Sequence, residues 1–210
     1  MRKKGKNDPK RDLKGMKYFM RSSSAHRIDV AAIIADLYPA GSRAYDILRR
    51  HGDLVAAKAL SIADGLLQLK PNHEFIQAAA CLHDIGICLT DTPALGCFGR
   101  HPYICHGYLG RQILEDRGLP DLALVCERHV GVGISAADVR YGRLPLPERN
   151  MLPVSIEEQI ICYADKFFSK NGRGDSREKT PAEIIAGIGH FGPDKVAQFL
   201  TWARLFEGNE

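Results

Sequence analysis

Apolar residues recur at helical spacing along most of the chain, and alternating patterns that would mark strands are nearly absent. The periodicity predicts a first helix over 28–37, stopped near Pro39-Ala40-Gly41. Ser42 then offers an N-cap for a short helix over 44–50. A longer one is expected over 53–69, with Val55, Ala59, Ile62, Leu66 and Leu69 on one face. Pro71-Asn72 opens the next, which runs to Asp84 with Gly86 placed as its C′ residue. Further helices are expected over 101–116, closed by Gly118, and over 120–129, ended by Gly131 and Gly133. Ser155 with Glu158 reads as a capping box at the head of another helix. Pro181 stands at the first position of the next, and a last amphipathic helix covers 193–206. Segments 87–100, 141–153 and 169–179 carry the Gly, Pro and polar residues of irregular structure. The expected class is therefore all-α: a basic tail over 1–20, then one helical domain over 21–210.

Composition changes this picture little. Of 210 residues, 45% are hydrophobic and 26% charged, as in an ordinary globular domain with a real core. No apolar run approaches the ~20 residues of a membrane span, so no membrane partner is expected. The basic start is not followed by the hydrophobic segment of a secretory signal. Six cysteines without a CxxC pair read as reduced, which implies a cytoplasmic setting. The net charge of +4 belongs to the first 17 residues, where eight Lys or Arg face Asp8 and Asp12; the remainder is slightly acidic. Such a tail is usually solvated, and a nucleic-acid partner is not expected from it.

The chemistry lies in His83-Asp84. The pair follows the apolar run Phe75, Ile76, Ala78, Ala79, Ala80, Cys81, Leu82, so two polar groups stand where a core should be. Buried polar groups need partners, and an imidazole beside a carboxylate suits a divalent metal. On the helical map His51, His106, His129 and Asp165 also fall at or near helix ends or inside apolar patterns.

These residues, in this order, resemble the HD superfamily of metal-dependent phosphohydrolases. Its H…HD…D pattern is met by His51, His83-Asp84 and Asp165, in the contexts HGDLVAAKALSIA, AAACLHDIGI and ICYADKFFS. The resemblance covers roughly 45–170. CHGYLGRQIL and CERHVGVGIS supply His106 and His129, similar to a subset that holds two metals. The resemblance implies an HD-type helical bundle with one metal on His51, His83, Asp84 and Asp165. A second would take His106 and His129, with Asp84 bridging, and the ions would be iron, manganese or zinc. It implies hydrolysis of a phosphate ester or anhydride in a small phosphorylated substrate, a nucleotide above all, by a metal-activated hydroxide, with Asp84 as a catalytic residue bridging the metals. Lys166, beside Asp165, is a candidate phosphate contact, with Arg128, Lys170 and Arg173 as further candidates for binding substrate. Ile87 replaces the Lys of the HDIGK motif, and Gly131-Val132-Gly133-Ile134 stands where cyclic-dinucleotide phosphodiesterases carry Gly-Tyr-Pro, so that substrate is not expected. After YADK, Phe-Phe-Ser-Lys-Asn-Gly-Arg only loosely echoes the Glu-Pro-Gly-Arg of diadenosine-tetraphosphate hydrolases. The rival readings are a dinuclear-iron oxygenase of the inositol-oxygenase type and a non-catalytic regulatory module.

Overall fold

A computed structural model describes residues 28–170 and 177–208. The basic tail, His26 and Arg173 lie outside them. Nine α-helices make up the described fold. Helix α1 (Val30–Leu37) starts where the Asp29 carboxylate accepts from the Ala32 amide. Helix α2 (Arg43–Asp64) starts where the Ser42 hydroxyl accepts from Tyr45, and α3 (His73–Leu82) where the Asn72 side chain accepts from Phe75. Local capping chemistry of this kind satisfies amides that a first turn leaves bare.

The expected pair of helices over 44–50 and 53–69 is a single 22-residue helix. Gly52 does not break it. A Cβ there would come 3.0 Å from the Cys81 Cα, so this glycine lets α2 and α3 approach closely. Leu69 falls beyond the helix and is exposed, while Val55, Ala59, Ile62 and Leu66 are buried as the periodicity requires.

Gly86 also differs from its expected role. Helix α3 ends at Leu82, and Gly86 sits inside a 3₁₀ turn over Ile85–Leu89. A Cβ on Gly86 would run into the His106 carbonyl and the Gly110 amide. Steric room, not a left-handed cap, explains this glycine.

Part of the expected irregular segment 87–100 is a small hairpin, β1 (Asp91–Thr92) against β2 (Cys97–Phe98). Helix α4 (His106–Asp116) begins at His106 rather than His101, behind a 3₁₀ turn over Tyr103–Cys105. Helix α5 (Pro120–Arg128) ends with His129 as its cap.

Helix α6 (Ala136–Gly142) has no counterpart in the hydrophobic pattern; a Ser135–Asp138 capping box makes it. Helix α7 (Ile156–Asp165) has Ser155 as its N-cap, but the Glu158 carboxylate accepts from Val154 and Arg128 instead of closing the box. Helices α8 (Pro181–Ile188) and α9 (Pro193–Glu207) complete the fold. Both begin with proline, whose missing N–H costs nothing at a helix start.

The core lies between α2, α3, α5 and α7, around Val55, Ala59, Ala79, Leu82, Cys126, Ile160 and Ile161. Helix α9 backs α7, with Phe199 stacked on Tyr163 at 5.0 Å between ring centroids. No helix of the described residues is long and apolar enough to cross a membrane.

Candidate metal centre

Five helices deliver six polar side chains to one buried point. His51 comes from the middle of α2, and His83 and Asp84 from the end of α3. His106 opens α4, His129 caps α5, and Asp165 is the last residue of α7. Except for His51, each stands at a helix terminus. There the chain turns, and adjacent residues such as His83 and Asp84 can point to the same place despite the roughly 100° between neighbours on a helix.

The six form two groups that share Asp84. In the first, His51 Nε2 lies 2.9 Å from Asp165 Oδ1 and 3.2 Å from His83 Nε2. His83 Nε2 lies 3.1 Å from Asp84 Oδ2. In the second, His106 Nε2 and His129 Nε2 are 3.1 Å apart, and each is 3.3 Å from Asp84 Oδ1. One carboxylate therefore turns one oxygen to each group.

Backbone carbonyls set the tautomer of three rings. His83 Nδ1 donates to Ala80 O, His106 Nδ1 to Tyr103 O and His129 Nδ1 to Cys126 O, at 2.6, 2.6 and 2.8 Å. A carbonyl only accepts, so in each case Nδ1 carries the proton. Burial lowers His106 to about 3, and burial lowers His129 as well, so both rings are neutral at pH 7. Their Nε2 lone pairs face each other and Asp84 Oδ1. Three acceptors converge without a donor, a combination that fits a cation.

The first group differs in carrying positive charge among its acceptors. Burial and the nearby Lys170 ammonium lower His51 to about 4. Burial opposes charge on His83 too, but Asp84 and Asp165 outweigh it and raise that ring to about 9. Burial would raise both carboxyls; His83 and Lys170 hold Asp84, and Lys166 and Lys170 hold Asp165, well below the usual range. Both Asp84 oxygens and His51 Nδ1 are buried without a hydrogen-bond partner. Such orphaned groups are uncommon and ask for an explanation; an ion bound to Asp84 supplies one for its two oxygens.

The candidate substrate contacts separate. Lys170 reaches into the centre, with Nζ 2.9 Å from Asp84 Oδ2 and 3.5 Å from Asp165 Oδ1. Burial works against its charge, but Asp165 and Asp84 prevail and keep the ammonium protonated. Lys166 Nζ is engaged by Asp165 Oδ2 at 2.6 Å and the His129 carbonyl at 3.2 Å. Arg128 gives Nη1 to both oxygens of Glu158, at 2.8 and 3.0 Å. His101 is exposed in an isolated bridge to Thr90, and His73 is bonded to Asp64, so neither joins the centre.

Two tyrosines that the hydrophobic pattern did not single out belong to the surroundings. Tyr103 orients His106 through its carbonyl and stacks its ring on that imidazole, centroids 4.6 Å apart. Tyr38, the cap of α1, hydrogen-bonds the turn that follows Asp84. Only their place three residues before a ligand and at a helix end marked them, and neither signal is specific.

A family model described as HD domain matches residues 26–169. A tRNA (cytidine(56)-2'-O)-methyltransferase of Picrophilus torridus is 31% identical over 59% of this chain and 32% of its own length. A methyltransferase of the same description from Thermoplasma volcanium is 33% identical over 65% of this chain and 35% of its own. An uncharacterized protein of Methanocaldococcus jannaschii is 36% identical over 45% and 48%. The chain thus spans less than half the length of each of these relatives. Among solved structures, the HD domain of the Listeria monocytogenes phosphodiesterase PgpH superposes with a TM-score of 0.48 at 18% identity, covering 86% of both chains.

Proposed function

The chain belongs to the HD domain family, and from that premise we propose that it is a metal-dependent phosphohydrolase that cleaves a phosphate ester or anhydride of a nucleotide. The observation that carries this reading is the convergence of His106 Nε2, His129 Nε2 and Asp84 Oδ1, three buried acceptors with no donor among them. One divalent ion would be held by His51, His83, Asp84 and Asp165, and a second by His106, His129 and the other oxygen of Asp84. Imidazole and carboxylate donors suit iron, manganese or zinc. A bound pair supplies a hydroxide at neutral pH and polarises the phosphoryl oxygens.

The chain's own groups do the rest. Lys170 holds a positive charge at the edge of the centre, where it contacts a phosphoryl oxygen and offsets charge that grows in the transition state. Lys166 binds Asp165 to the His129 carbonyl and so keeps ligands of both groups in register. Arg173, from its place in the polar sequence after α7, is a further proposed substrate contact, while Arg128 is engaged by Glu158.

The test is phosphate release, without oxygen, from a panel of nucleotides, dinucleoside polyphosphates and sugar phosphates with manganese-loaded protein. RNA ends belong in the panel because two relatives are described as tRNA methyltransferases. Release from at least one nucleotide, abolished in Asp84→Asn, is expected. Oxygen consumption without phosphate release would instead favour the oxygenase chemistry.

A further inference from the structure

Asp84 is the one side chain that both ligand groups use, yet no side chain or amide hydrogen-bonds either of its oxygens. Apart from the Lys170 ammonium beside Oδ2, its position comes from the backbone that carries it. That backbone leaves α3 at His83 and enters the 3₁₀ turn over Ile85–Leu89. Two elements hold the turn. On one side Gly86 lies against the backbone of α4 at His106 and Gly110, with no room for a side chain. On the other side stands Tyr38.

We propose that Tyr38 is a positioning residue for the shared metal ligand Asp84. Its hydroxyl donates to the Ile85 carbonyl at 2.9 Å and accepts from the Cys88 amide at 2.8 Å. These groups are three residues apart, the spacing of a 3₁₀ hydrogen bond, so one oxygen ties both ends of the turn that starts at Asp84. The two contacts bridge 47 and 50 residues of sequence. They lock α1 to the centre, although α1 supplies no ligand.

Tyr38 is 2% exposed and lines a small recess together with His51, Asp84 and Lys170. A tyrosine chosen for bulk alone would not need its hydroxyl shared between a carbonyl and an amide of that one turn. Outer groups that orient a ligand are worth roughly 10–100-fold in metal affinity when removed. The inference rests on the proposed metal centre but not on any substrate.

Tyr38→Phe removes one oxygen and keeps the ring. Manganese and cobalt titrations of the full chain should show affinity weakened by about 10–100-fold, with an altered cobalt absorption spectrum. Ile34→Ala, in the helix that Tyr38 caps and as deeply buried, serves as the control. It should lower thermal stability at least as much while leaving affinity and spectrum as in the wild type.

A second measurement needs no variant. In the wild-type protein, saturating manganese should slow hydrogen exchange at the Cys88 amide more than at amides of α9. The proposal is overturned if Tyr38→Phe binds metal like the wild type, or if both variants lose affinity in step with stability. It is overturned too if manganese leaves Cys88 exchange unchanged. A wild type that takes up neither ion ends it together with the metal centre. Absence of phosphate release with metal binding intact would count against the proposed activity alone.

Discussion

Two carboxylates are buried to almost the same degree in this protein and live in opposite surroundings. Glu127 is 2% exposed and held from both sides: Arg111 Nη1 meets Oε2 at 2.5 Å, and Arg149 Nε meets Oε1 at 2.9 Å. Asp84 is 1% exposed and ringed by four imidazole nitrogens at 3.1–3.4 Å, yet neither oxygen has a hydrogen bond. The first is complete as it stands, a charge neutralised by two arginines in good geometry. The second has the lone pairs of His106 and His129 against one oxygen and the charges of Lys170 and His83 beside the other. Burial alone does not distinguish a structural carboxylate from a ligand; the donors around it do.

The sharpest way to break this contrast is to neutralise both in turn. Asp84→Asn should abolish binding of both ions and lower turnover by at least about 10³-fold, the several kcal/mol that a metal pair supplies; elemental analysis and phosphate release measure it. His129→Ala should come next, leaving one metal equivalent per chain where the wild type has two, read by the same elemental analysis. Glu127→Ala should leave metal content unchanged. It should cost about 2–3 kcal/mol in stability by denaturant titration, less than for a fully buried pair because both arginines are partly exposed. Lys170→Ala tests whether a cation at the rim acts on substrate: turnover should fall roughly 10–100-fold, while metal affinity holds or rises because a competing charge has gone.

The mildest effect is on pH. In metal-free protein His51 titrates at about 4, His106 at about 3, and His129 is lowered as well, against an ordinary 6.5. Below pH 6.5 the unfolded chain takes up protons on these three rings that the folded chain refuses, so stability falls as pH drops toward 4. Asp84 and Asp165, held below the usual carboxylate range, extend that loss at lower pH. His83, raised to about 9, works in the other direction: its contribution is complete below 6.5 and fades as pH rises through 9. The melting temperature of the stripped protein should therefore peak near pH 6.5. Glu127→Ala should keep the same profile at lower temperatures, whereas His51→Ala should flatten its acid limb.

Hydrophobic periodicity was enough to read an all-α fold and to single out His83-Asp84; the full set of His51, His83, Asp84, His106, His129 and Asp165 came from the resemblance to the HD superfamily. Helices announce themselves locally, through spacing and caps such as Ser42, Asn72 and Thr180. Polar residues inside apolar runs are conspicuous because burial without partners is unfavourable. What local pattern could not reveal depended on backbones meeting. The expected gap between 50 and 53 is closed, and Gly52 in it is a point of contact between α2 and α3; Gly86 looked like a cap and is clearance for α4. The sequence put Lys166 ahead of Lys170 as a phosphate contact, but packing ties the first to the His129 carbonyl and brings the second to Asp84. Tyr38 reaches its turn across some fifty residues. Residue type and period determined which groups needed partners, since desolvation acts on each group wherever it is buried. Which partners they found was decided by tertiary structure alone, because a hydrogen bond or an ion pair is a matter of a few tenths of an ångström between segments remote in sequence.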